Sequence, residues 1–185
     1  MTEQTKPATG LFAGRLRNAK VTERGAFLYP GTYAVKVNKG VWKHCRANNG
    51  KAAYDAFILE FVVMESSRPT TDPARGEHEN PKEYEERLAK LPNKVGSTAS
   101  WFQSCADEDV GFGSLKGFCA QITGANPEDP AFINGTEDQM GVEDLLSAIV
   151  NDGLVNGKII PVEVVTIKTK RGSDFSLHKF SQIRE

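Results

Sequence analysis

Paired cysteines are missing from this chain. Its three cysteines, Cys45, Cys105 and Cys119, are odd in number and widely spaced, and no CxxC occurs. That argues against a disulfide framework. The three histidines, His44, His78 and His178, are scattered. Tetrahedral zinc draws its ligands from close sequence pairs, so no structural zinc site is expected. Cys45 lies next to His44, but neighbours on a strand point to opposite faces and do not form a thiolate pair. Long apolar runs are also missing. No stretch approaches the roughly 20 residues that cross a bilayer, and the polar start MTEQTKPATG lacks the apolar core of a signal peptide. The expectation is a soluble, cytoplasmic protein with no membrane partner.

Catalytic signatures are absent as well. There is no GxxxxGK[ST] loop to cradle phosphates, and no GxSxG, HExxH or kinase set. Gly111-Phe112-Gly113 lacks the remaining glycine and the preceding strand of a dinucleotide site. Two acidic runs, Asp107-Glu108-Asp109 and Glu137-Asp138, could in principle hold a metal. Both fall at expected helix starts, where acids favour the positive end of the helix dipole. The reading is therefore a protein that is not an enzyme and needs no metal and no cofactor.

What is present is an ordinary globular composition, with 39% hydrophobic and 25% charged residues over 185 positions. That suits one domain with a real core. The net charge of −1 hides a strong segregation. Residues 1–66 carry a balance of +5, residues 67–153 one of −9, and residues 154–185 one of +3. Two basic ends flank an acidic middle, which lets a polyanion-binding surface sit on a nearly neutral molecule.

Residues 1–25 read as a mobile basic arm with one short strand near Leu11–Phe12, and residues 26–185 as the single domain. Pro30-Gly31 is a turn signal. It launches a strand in which Tyr33, Val35 and Val37 alternate with Lys36 and Asn38. Gly40 permits a bulge or sharp bend, and Val41–His44 continues the strand. Asn49-Gly50 turns the chain. Tyr54–Val63 follows, with Phe57, Leu59, Phe61 and Val63 on one face. The two strands make a long hairpin. Residues 66–93 form an acidic insertion with a short helix over Pro81–Leu91. A third strand is expected over Val95–Phe102. A helix over Gly111–Ile122 should bury Phe112, Leu115, Phe118, Cys119 and Ile122, with Gly124 ending it. Residues 125–139 read as loop and Val142–Val150 as a second amphipathic helix. Lys158–Lys170 and Phe175–Ile183 make a closing hairpin. The fold class is mainly β with a few helices: five strands, with a helical segment between strands 3 and 4, fit a five-stranded OB-type barrel.

The run Leu28-Tyr29-Pro30-Gly31-Thr32-Tyr33, the basic turn Asn49-Gly50-Lys51 and the strand Phe57–Val63 resemble phage-encoded single-stranded-DNA-binding proteins. Gly96–Phe102, Leu115-Lys116-Gly117-Phe118, Gly157-Lys158 with Val162-Glu163-Val164, and Lys170–Phe175 extend the likeness over roughly residues 28–180. The resemblance implies an OB fold, binding of single-stranded DNA in replication or recombination, contacts with other proteins of those processes, and no catalysis. The chain departs from many such proteins at its end, Ser181-Gln182-Ile183-Arg184-Glu185, which carries one acid instead of a long acidic tail. The acidic middle could recruit partners instead. Self-association is left open.

Binding a single strand without sequence preference needs cations for the phosphates and aromatic plates for the bases. The first hairpin offers Lys36, Lys39, Lys43, Arg46 and Lys51 with Trp42 and Tyr54. The last offers Lys168, Lys170, Arg171 and Lys179 with Phe175 and Phe180. Phe175 alternates with Leu177 and reads as core, which makes Phe180 the exposed candidate. Trp101 on the third strand is a further plate, unless it is buried under the helix. Trp42 beside Gly40 is either a plate or a cap on the core. The two hairpins are expected to meet on one side of the barrel and form one trough. The competing readings are a protein-interaction or inhibitor module using the acidic insertion and loop 125–139, and a metal-dependent nuclease.

Overall fold

The computed structural model describes residues 27–47, 52–168, 172 and 174–184. The expected N-terminal arm and its short strand, and Lys51, Lys170 and Arg171, lie outside these residues.

Five strands form one antiparallel sheet: β1 Gly31–Cys45, β2 Tyr54–Ser66, β3 Thr98–Ser104, β4 Ile159–Lys168 and β5 Asp174–Phe180. Their spatial order is β3-β2-β1-β4-β5. β2, between β3 and the central strand β1, supplies a hydrophobic row in which Phe57, Leu59, Phe61 and Val63 are each fully buried. Period-2 alternation puts them on one face, with Val35 and Val37 of β1 and Ile160, Val162 and Val164 of β4 beside them. Among the described residues the sheet is open, with no ladder between β3 and β5. Its edges nevertheless approach through rings: Trp101 of β3 lies 4.8 Å from Phe180 of β5, centroid to centroid.

The helical region between β3 and β4 covers this gap. It comprises α2 Glu108–Thr123, α3 Pro130–Asn134 and α4 Val142–Ser147, after α1 Pro81–Ala89 in the insertion. Asp107 caps α2 by accepting from the Val110 N–H, and Gly124 ends it at φ 73°. Leu115, Phe118, Cys119 and Ile122 are buried. Phe118 packs 5.1 Å from Trp101 and 4.9 Å from Phe180. Such ring pairs contribute about 0.5–1.5 kcal/mol each beyond the area they bury.

Four local expectations change. Phe112 is 46% exposed, not buried, because Gly111, one turn before Leu115, takes the inward position against Cys105 and leaves Phe112 at the edge of the buried face. Segment 125–139 is not all loop; Pro130 and the Asp129 cap start α3, which buries Phe132. Glu137 and Asp138 lie between α3 and α4, not at a helix start. The second amphipathic helix ends at Ser147 and continues as one π-helical turn over Ala148–Asp152, closed by Gly153 at φ 66°.

The insertion is pinned at its root. Asn93, the one buried polar residue among those described, accepts from Tyr29 N–H at 2.9 Å and donates to the Phe27 carbonyl at 3.2 Å. Its backbone N–H donates to the Tyr33 hydroxyl at 3.1 Å. Within the insertion, Asn80 and Glu83 form a reciprocal capping box on α1. Arg87 holds Glu79 through two bonds of 2.8 Å and pulls its carboxyl down to about 2. No residue of α1 is buried. Among the described residues, no helix is long and apolar enough to cross a membrane.

Candidate nucleic-acid interface

The face of the sheet turned away from the core carries the candidate site, and a β-bulge sets its composition. In β1, Val37 pairs with Phe61 and Lys39 with Glu60, so Asn38 is the extra residue. Before it, Tyr33, Val35 and Val37 face the core. After it, the inward positions are Gly40 and then Trp42, opposite Phe57. The switch moves Lys39, Val41, Lys43 and Cys45 onto the outer face that already holds Lys36. Gly40 is therefore not the bulge. It is needed for close approach, since a Cβ there would meet Ile149 Cγ2 of the π-turn at 2.8 Å.

The outer face of β1, β2 and β3 is built from cross-strand rows. Val41, Ile58 and Phe102 form an apolar row. Lys39, Glu60 and Ser100 lie on one side of it, and Lys43, Ala56 and Ser104 on the other. Cys45 and Tyr54 form the last pair. The Cys45 side chain hydrogen-bonds Tyr54 and pushes its phenol up. Lys36, Lys43 and Arg46 are exposed and take part in no ion pair among the described residues. Lys39 Nζ lies 3.4 Å from Glu60 Oε2.

Two expected plates are in the core. Trp101 is 7% exposed, wedged among Phe57, Phe118 and Phe180, and its neighbour Phe102 is 37% exposed on the outer face. Phe180 is 5% exposed, whereas Phe175, read as core, is 52% exposed. Both corrections are shifts of phase: in a strand, one residue separates the two faces. Trp42 is intermediate. It stacks on Phe112 at 6.2 Å, tilts over Phe57 at 6.4 Å and remains 37% exposed, so it closes the end of the core and still reaches solvent.

The two basic hairpins do not share one end of the sheet. Gly31 lies opposite Val164 and Cys45 opposite Tyr54, so the β4–β5 arm leaves at the start of β1 and the β1–β2 turn at its end. The expected single trough between adjoining hairpins is replaced by the open outer face. On the arm, Val165 pairs with Leu177 and Ile167 with Phe175, with no β1 residue alongside. Lys168 sits 3.7 Å from Asp174 and Lys179 3.1 Å from Glu163.

Phe102, Val41, Ile58 and Glu60 were not singled out from sequence. Their signal was the adjacency of Trp101 and Phe102, which could be resolved only with the strand's phase in hand. Burial pushes the Cys119 thiol up to about 12, so it offers no thiolate near neutrality. Comparison with protein-family models, with curated proteins and with solved structures finds no match to this chain.

Proposed function

We propose that the protein binds single-stranded DNA without sequence preference, as an OB-type barrel serving phage replication or recombination in the host cytoplasm, and carries out no catalysis. The observation that carries the reading is the outer face of β1–β3. There Lys39 and Lys43 border an apolar row that ends in the exposed ring of Phe102, and Lys36 lies on the same face one row further along, opposite Val62. Phosphates want the cations and unstacked bases want the ring, which alone is worth about 1–3 kcal/mol per stacked base. The strand order, with a helix packed between β3 and β4, supports an OB-type barrel whose strand 2–3 face is the usual ligand platform. Partners among replication and recombination proteins belong to the same proposal.

A fluorescence titration with oligo-dT and with duplex of equal length, at two salt concentrations, tests it. The expected result is tighter binding of the single strand, weakening steeply with salt. No binding to oligo-dT at low salt ends the reading. One observation favours the alternative of an interaction or inhibitor module: α1 buries none of its residues and presents Glu83, Glu85 and Glu86 to solvent. That reading requires a basic protein partner and no affinity for DNA.

A further inference from the structure

The cation row on the outer face contains one carboxylate, and its placement has a consequence for how a strand would be held. Glu60 is on β2, directly between Lys39 of β1 and Ser100 of β3, and one row from Val41, Ile58 and Phe102. Its Oε2 is 3.4 Å from Lys39 Nζ, with side-chain exposures of 42% for Glu60 and 55% for Lys39. A pair this open to water contributes little to folding. It does occupy the lysine at the centre of the row, while Lys36 and Lys43 on either side have no acid within ion-pair distance among the described residues.

We propose that Glu60 is a built-in competitor for the phosphates of a bound single strand, and that it sets how fast the strand is released. The proposal rests on the single-strand reading. A phosphate that approaches Lys39 must displace the Glu60 carboxylate, which then stays within a few ångströms of the phosphate as a like charge. Repulsion at that distance is weak in bulk water and grows at a partly dehydrated interface. The face therefore starts with one cation masked, holds the strand less tightly than its lysine count implies, and recovers its internal pair when the strand leaves. Release is helped by a group that is already in place and needs no rearrangement of the backbone.

The experiment compares wild type, Glu60→Gln and Glu60→Thr in oligo-dT titrations over a series of salt concentrations, with stopped-flow dissociation against excess competitor. Glutamine keeps the size and loses the charge, and threonine suits a strand. Glu86→Gln on α1, which removes the same charge away from the sheet, controls for net charge. Both Glu60 variants are expected to bind about fivefold tighter or more at low salt and to dissociate correspondingly more slowly. Their affinity should also fall more steeply with salt, the logarithmic slope rising by up to about 0.7 for one more effective phosphate contact. A Glu60→Gln affinity equal to that of Glu86→Gln, or weaker than wild type, overturns the proposal and leaves the single-strand reading intact. If wild type fails to bind oligo-dT, both fall together.

Discussion

Lys36 and Lys39 lie on the same face of β1 although they are three positions apart, because Asn38 is looped out of the ladder with β2. Regular alternation would have sent them to opposite faces. The bulge gathers Lys36, Lys39 and Lys43 on one surface, and they differ in how free they are. Lys39 is paired with Glu60, whereas Lys36 and Lys43 have no ion-pair partner among the described residues. Replacing Lys36 or Lys43 with alanine should therefore weaken oligo-dT binding more than Lys168→Ala, whose charge is already answered by Asp174. Each of the first two should also lower the salt slope by about 0.7. Titrations at three or more salt concentrations separate the cases; equal losses for all three lysines would mean that the bulged face is not the phosphate track.

Phe102 and Trp101 are adjacent and face opposite ways, so their variants should fail in opposite manners. Phe102→Ala should cost about 1–3 kcal/mol of single-strand affinity, with little change in the unfolding midpoint. Trp101→Ala removes a ring packed on Phe57, Phe118 and Phe180 and should cost about 3–5 kcal/mol of stability. Denaturant unfolding and titration of the same two proteins decide it. A Phe102→Ala variant with wild-type affinity would remove stacking on this face.

These two positions also show what could be read from the chain. Strand existence, the β1–β2 and β4–β5 hairpins and the helix between β3 and β4 follow from turn signals and alternation. The phase of β3 does not, because Ala99-Ser100-Trp101-Phe102-Gln103 contains two adjacent aromatics and no clean alternation. For β5 the alternation is clean and still misleads. Phe175 and Leu177 look like an inward face, but Phe180, opposite the buried Val162, and His178, opposite the buried Val164, take the inward phase and leave Phe175 and Leu177 on the other side of the strand. Which of two alternating faces is covered is a tertiary fact that no local pattern carries. The bulge at Asn38 is equally silent in sequence, since the nearby glycine that suggested one serves a different purpose.

That purpose gives another prediction. Gly40 brings β1 against the π-turn, with 2.8 Å between a hypothetical Cβ and Ile149 Cγ2. Gly40→Ala should cost about 1–3 kcal/mol by overpacking. Ile149→Ala, which empties the space the new methyl needs, should be costly alone yet combine with Gly40→Ala to less than the sum of the two losses. A double-mutant cycle by denaturant unfolding measures the coupling. Strict additivity would show that the backbone moves away instead and that the contact is not tight.

His178 supplies a pH dependence with a definite sign. Its ring lies between Trp101, at 6.5 Å, and Phe180, at 6.3 Å, and its Nε2 is buried with no hydrogen-bond partner among the described residues. Burial lowers its pKa, and a hydrogen bond to the Ser176 backbone only partly opposes this. A base whose folded pKa lies below its unfolded value takes up a proton more readily when unfolded. Its contribution is fully present above the unfolded value, about 6.5, and is lost as the pH falls below that value towards the folded pKa. The slope contributed in that window approaches about 1.4 kcal/mol per pH unit. His178→Phe fills the ring site without a titrating group. It should remove most of the wild-type loss of stability between pH 7 and pH 5, which urea midpoints at pH 7, 6 and 5 would show. An equally steep fall in the variant would assign the acid sensitivity to the carboxylates, of which Glu79, held near 2 by Arg87, loses its bond only at lower pH.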